Sequence, residues 1–307
     1  MTEGVNRGIL EAHRKGIVSS TTLLANGAAF EAAVAAGREA SRQVSQQASL
    51  RASHLASNLG IGVHLNLSEG LPISHANDIS TLLDAAGRLH LTPGRLWWAM
   101  ASRRVRLAEI EIELRAQVNK VIAAGITPTH LDGHMHVHVL PGVAEIVVRI
   151  ARESGVAAVR CPVEPVGSVL RRFPDNKVGR LSMTWKRLGT LAASGAALRL
   201  RRLLEKAGLA HPARFYGIVA TGLLNLRVLK EILRSLPAGS GVSELMCHPG
   251  YVDDHLASAG GGLQTQRETE LQALTSPEVI ELAAAQEIRL LTYREFAESA
   301  PGREAAA

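Results

Sequence analysis

A chain of 307 residues that is 46% hydrophobic can bury a sizeable core, and with aromatics at only 3% the packing falls to alanine, leucine and valine. Its two cysteines, Cys161 and Cys247, lie too far apart for a metal knuckle or a redox pair, and no apolar run approaches the roughly 20 residues that a bilayer-crossing helix needs. The net charge of +6 gathers in two places, Arg103, Arg104 and Arg106 beside Trp97 and Trp98, and a run from Arg171 to Lys206. No zinc-finger, recognition-helix or aromatic RNA-binding pattern accompanies them, so no nucleic-acid partner is expected and the charges read as solvated helix surface.

Taken in chain order, residues 1–16 form an amphipathic helix rather than a secretory signal, which makes the cytoplasm the expected location; the basic clusters leave association with a membrane surface open. Ile17–Leu24 is β-branched and apolar, a strand, and Ala28–Ala40 is an alanine-rich helix. Leu59–Leu67 is a buried strand followed by a Ser-Glu-Gly turn, and residues 73–91 form a loop. A long helical region runs from Thr92-Pro93 to Gly125, with proline suited to its first turn and glycine to its end. Thr127–Asp132 is a strand, Pro141–Glu153 a helix, Val156–Cys161 and Val242–Cys247 further strands. Ser276-Pro277-Glu278 opens a helix with serine as cap, and Ile288–Thr292 is the last strand. Residues 163–213 look like a basic helical insertion within a single domain spanning 1–307. Strands alternating with helices imply a largely parallel sheet with crossover helices.

The densest chemistry lies in Pro128–His138, where His130, Asp132, His134, His136 and His138 all fall on even positions. In an extended chain these side chains would share a face. Imidazole and carboxylate are the usual ligands of zinc and related ions, and histidine also carries protons near neutral pH. His64 and Asn66 end a second strand, and Glu244 and His248 bracket the end of a third, in Ser-Glu-Leu-Met-Cys-His-Pro-Gly. Strand C-terminal ends are where an α/β barrel collects its active site. A catalytic metal takes about three protein ligands, so some of these histidines must hold substrate or structure instead.

The segments GVHLNLSEGLPI, PTHLDGHMHVHVLPGV, RFYGI, SELMCHPGYVDD and LTSPEVIELAAAQEIRLLTY, spread from residue 5 to about 295 with VNRGILEAHRKG, resemble the YdjC/ChbG-like (ChbG/HpnK) carbohydrate deacetylases. The resemblance implies a distorted (β/α) TIM-like barrel holding one divalent ion and removing an N-acetyl group from an amino sugar. It implies His64 and His134 as metal ligands and His248 as a pocket histidine, which could protonate the leaving amine or bind the acetyl oxygen; Asn66, His136, His138 and Glu244, at or near the same strand ends, are the candidate substrate contacts. It suggests magnesium, whereas two imidazoles suit zinc by chemistry. The substrate is expected to be a chitooligosaccharide or a lipid-borne amino sugar such as a hopanoid precursor, and a homodimer stays open. Family members begin with a strand ending in an Asn-Ala-Asp-Asp-Phe-Gly-like motif, which this sequence lacks; its adjacent aspartates are Asp253 and Asp254. Against that pattern the first barrel strand is missing, a start upstream is expected, and the chain as it stands is expected to be nearly inactive, with Asp132 as the substitute base. A non-catalytic sugar-binding protein and a His-x-His metallophosphoesterase remain rival readings.

Overall fold

The computed structural model describes residues 2–47, 58–165, 195–239, 241–258 and 262–299, with side chains of 41–47 left aside. Helix α1 (Glu3–Lys15) begins at the Thr2 cap, whose side chain accepts from the Val5 amide, and ends with His13, Arg14 and Lys15 near its negative pole. Strand β1 (Ser20–Leu23) leads into α2 (Phe30–Gln47), and β2 (Gly60–Leu65) follows, buried throughout except at His64. Strand β3 (His130–Gly133), α5 (Val143–Glu153) and β4 (Ala158–Val159) complete a four-stranded parallel sheet in the order β1-β2-β3-β4. A parallel Ala158–Ala210 bridge and a Phe215 amide donating to Val163 O (3.2 Å) carry the wall on to β5 (Arg214–Tyr216), which pairs in parallel with β6 (Ser243–Leu245). With helices outside, this is the expected α/β architecture, a distorted TIM-like barrel.

Several boundaries differ from the sequence reading. The helical region after Pro93 is two helices, α3 (Pro93–Ala101) and α4 (Leu107–Ala123). The break sits at Arg103 in the left-handed region (φ 59), where the amides of Arg104 and Val105 both fold back onto Ala99 O and Val105 is buried. No glycine or proline marks that closure, so the sequence pattern runs straight through it. Ser276 precedes its helix as expected but makes no side-chain cap bond. Ile288–Thr292 is not a strand: it meets β1 through serine hydroxyls, Ser19 Oγ donating to Leu291 O at 2.8 Å and the Tyr293 amide donating to Ser20 Oγ at 3.1 Å. Of the basic run, Arg171, Arg172, Lys177, Arg180, Lys186 and Arg187 lie outside the described residues. Arg199 pairs with Glu145, and Arg201 donates to Ala213 O.

One core built from β2, β3, α4 and α5 buries Val63, Leu65, Leu67, Leu114, Leu131 and Val147 without measurable exposure. Each is worth about 1.5–3 kcal/mol relative to an exposed side chain, so the strand ends above this layer are held on a rigid base. A second core sits between α1, the helix Leu226–Arg234 and the helices Thr265–Leu274 and Pro277–Ala285. Gly8 faces it, and an added Cβ there would lie 2.5 Å from the Gly250 backbone.

Candidate active site

His64 and Asp132 are cross-strand partners in the β2–β3 register, and Asp132 Oδ1 lies 2.7 Å from His64 Nδ1. Thr22 on β1 adds its hydroxyl, 3.4 Å from the same imidazole nitrogen and 3.5 Å from Asp132 Oδ2. The other side of Asp132 is closed by Arg160, which follows β4 and makes an ion pair with Oδ2. Arg160 Nε also donates to Glu244 Oε1 at 2.7 Å, and Tyr293 OH donates to Glu244 Oε2 at 2.5 Å. The Tyr293 ring stacks on His130, with centroids 3.8 Å apart and planes 7° from parallel. A single buried arginine thus ties together β3, β4, β6 and the segment after residue 291.

Electrostatics follow from that burial. Desolvation would raise the Asp132 carboxyl, but the Arg160 guanidinium and then His64 hold it well below the usual range, so it stays an acceptor for His64. Burial pushes Glu244 up, only partly offset by Arg160 and Tyr293. Burial likewise pushes His130 down to about 3 and His138 down to about 4, and carries His136 well below its ordinary value. These three are neutral at physiological pH.

The shared-face expectation holds only up to Asp132. After Gly133 the chain leaves the strand and turns through His134–Val139, with Met135 (φ 49, ψ 26) and His136 (φ 59, ψ 29) both left-handed. That turn, not strand alternation, aims the later histidines. His134 comes back over His64, ring centroids 5.5 Å apart and edge to face. His136 is turned inward against Phe215 (5.8 Å), and His138 Nε2 lies 3.2 Å from Arg160 O. The Nδ1 atoms of His136 and His138 are buried with no hydrogen-bond partner. Two consecutive non-glycine residues in this region cost about 1–2 kcal/mol each, a strain of the kind concentrated at functional sites.

Asn66 is buried and its amide is spent locally, donating to Asn26 Oδ1 and Glu69 O and accepting from the Ser68 amide. It shapes the loop that sets Glu69 Oε1 3.4 Å from His134 Nε2. Glu244 is committed to Arg160 and Tyr293. Asp253 caps α1, accepting from the Gly4 amide at 2.7 Å. His248 follows β6; its amide donates to Glu270 Oε2 at 2.5 Å, and burial pushes the imidazole down to about 3. Besides burial, the charges of Arg267, Arg160 and His64 push the imidazole down, against Asp132, which pulls it up.

Among the described residues no set of three His, Cys, Asp or Glu side chains converges as a ligand group. The pair His64 and His134 nevertheless suits a divalent ion as two of its ligands. Asp132 occupies Nδ1 of His64, leaving Nε2 as the available nitrogen, and a carboxylate behind an imidazole is the usual support of a metal-binding histidine. Arg160, Thr22, Tyr293, Glu69 and Glu270 escaped the sequence reading. The available signals were a lone arginine closing the apolar stretch Val156–Val159, and a glutamate at a core-facing position of the helix Thr265–Leu274.

A family model described as YdjC-like protein matches residues 1–285. A carbohydrate deacetylase of Brevibacillus brevis is 33% identical over 295 residues, covering 96% of this chain and 95% of that protein. A chitooligosaccharide deacetylase of Klebsiella pneumoniae is 30% identical over 297 residues, covering 96% and 94%. Among solved structures, a protein of Enterococcus faecalis described as a cellobiose-phosphate cleavage protein superposes with a TM-score of 0.68 at 23% identity, over 95% of this chain and 93% of that one.

Proposed function

The chain belongs to the YdjC-like protein family, and from that premise we propose that it works as a carbohydrate deacetylase, hydrolysing the N-acetyl group of an amino sugar. The observation that carries the chemistry is the pair of facing imidazoles, His64 and His134, with Asp132 fixed behind the first by Arg160. One divalent ion held by these imidazoles, magnesium by family resemblance or zinc by ligand chemistry, would polarise the acetyl carbonyl and make hydroxide available near neutral pH.

The protein's own groups divide the remaining work. Asp132 is sealed between His64, Thr22 and Arg160, so its role is to hold the His64 ring in one tautomer rather than to take a proton from water. His248 supplies a proton to the departing amine, without which the C–N bond cannot break at neutral pH. His136, neutral and half-buried, offers a hydrogen bond to a sugar hydroxyl, whereas His138 is fully buried with Nε2 against Arg160 O and supports the wall of the site instead of the expected substrate contact. A chitooligosaccharide is the substrate this reading favours, from the activity named for the Klebsiella relative. The exposed side chains of Met135, next to His134, and Leu71, near Glu69, favour as a second reading an amino sugar carried on an apolar group.

The test is acetate release from N,N′-diacetylchitobiose by the full chain supplied with magnesium or zinc. His64→Ala and His134→Ala should each abolish it and lower bound metal measured by elemental analysis. Binding of the sugar without acetate, or phosphate release from sugar phosphates in its place, would replace this reading with one of its rivals.

A further inference from the structure

Glu270 is a buried carboxylate that the chemistry above does not use. It sits on the helix Thr265–Leu274 at 1% exposure, with Oε1 buried and without a hydrogen-bond partner. Its other oxygen accepts the His248 amide at 2.5 Å and lies 4.0 Å from Nδ1 of the same residue. The helix grips the loop that follows β6 at further points. Arg267 Nη1 donates to His248 O (3.3 Å), the Gly250 amide donates to Arg267 O (3.3 Å), and the Val252 amide donates to Glu268 Oε1 (3.1 Å). Such a set of bonds fixes where the imidazole stands. It does not require an ionisable group at this depth, since an amide oxygen would serve the same backbone donor.

We propose that Glu270 and His248 form a proton-relay pair, in which Glu270 supplies to Nδ1 the proton that His248 gives up from Nε2 to the departing amine. The proposal rests on the deacetylase reading and extends it to a residue that meets His248 rather than the substrate. In the step, the acetyl C–N bond breaks and its electron pair goes to the sugar nitrogen. That nitrogen takes the Nε2 proton of His248, the imidazole accepts the carboxyl proton of Glu270 at Nδ1, and Glu270 is left as carboxylate. Solvent returns the proton after the product leaves, through the partly exposed side chain of His248. The imidazole therefore never has to carry a full positive charge in a site that disfavours it.

The protonation states match. Burial pushes Glu270 up to about 7, while burial pushes His248 down to about 3, so near neutrality the pair's proton resides on the carboxyl and the imidazole is neutral. The groups acting on Glu270 are Arg267 on its own helix and the amides of His248 and Gly222, all of which pull it down; Cys247, beside His248, is a thiol that burial keeps protonated. No charge on α1 or on the helix Leu226–Arg234, which pack against this helix, bears on it. The 4.0 Å gap is the kind of separation that closes when substrate binds.

Glu270→Gln keeps an oxygen for the His248 amide and removes the transferable proton. With N,N′-diacetylchitobiose as probe, it should lower kcat roughly 10²-fold with KM nearly unchanged. The wild-type protein is expected to lose kcat as pH rises through about 7, and Glu270→Gln should erase that decline. A readout independent of turnover is the carboxyl infrared band of the wild-type protein without substrate, assigned by its loss in Glu270→Gln and its displacement in His248→Gln. A carboxyl titrating near neutrality supports the pair. Titration with the ordinary glutamates, or a Glu270→Gln enzyme with unchanged kcat, overturns it. If the wild-type chain releases no acetate, the deacetylase reading fails on its own and the infrared titration alone decides whether the buried pair shares a proton.

Discussion

Replacing Arg160 with methionine keeps an unbranched apolar stem in place and deletes the charge that two buried carboxylates share. The Asp132 side chain is 1% exposed and that of Glu244 10%, so neither recovers its solvation when the guanidinium goes. Breaking a buried pair by removing one partner costs about 3–5 kcal/mol, because the stranded charge has nothing to offset it. With a urea m-value of about 3 kcal/mol/M, the unfolding midpoint should fall by roughly 1–1.7 M. Adding Glu244→Gln removes one stranded carboxylate, and the double variant should recover about 1–2 kcal/mol relative to Arg160→Met alone, a coupling read from the double-mutant cycle. The functional consequence travels through Asp132 to His64. Loss of a supporting group typically costs 10–100-fold in metal affinity, which isothermal titration of the metal-free protein measures directly. A midpoint within about 0.3 M of wild type, together with unchanged metal affinity, would refute the view that Arg160 holds the centre together.

Three further expectations follow from individual contacts. Gly8→Ala puts a methyl group against the Gly250 backbone, so it should lower both thermal stability and turnover by displacing the His248-Pro249-Gly250 turn, while substitution at the open Gly94 should leave both unchanged. Met135→Gly relieves a left-handed strain at an exposed position and should raise stability by about 1 kcal/mol in urea titrations. Glu270 binds its proton up to about pH 7 in the folded protein, against 4.5 for an ordinary glutamate, so the stability it contributes is fully present below about pH 4.5 and is lost as pH rises through 7. Up to about 3 kcal/mol of pH-dependent stability should therefore vanish in Glu270→Gln, as melting curves across that window would show.

What the sequence made legible was whatever depends on local pattern. The apolar strands β1, β2 and β3 and the amphipathic helices α1 and α5 all fall where their periodicity places them, and so do the strand ends bearing His64, Asp132 and His248. Alternation then misled at Gly133, because the turn through Met135 and His136 depends on backbone conformations that non-glycine residues rarely adopt. Asn66 does follow the end of β2, while Glu244 lies in the middle of the short β6, and the sequence could not tell that their polar atoms are consumed by Asn26, Glu69, Arg160 and Tyr293. Those partners lie up to 84 residues away, as Arg160 does from Glu244, and long-range pairing leaves no periodic trace. Glu270 was invisible for the same reason: its importance comes from the loop it meets.

The most direct test of the central claim is hydrolysis of N,N′-diacetylchitobiose in isotope-labelled water by the full chain with a divalent ion, following label in the released acetate and the appearance of a free amine on the sugar. Amide hydrolysis at the His64–His134 centre predicts one labelled oxygen per acetate, one new amine per acetate, and loss of both products in His64→Ala and His134→Ala. Acetate release that persists in both variants, or a folded, sugar-binding, metal-loaded protein that yields no amine, would contradict the account.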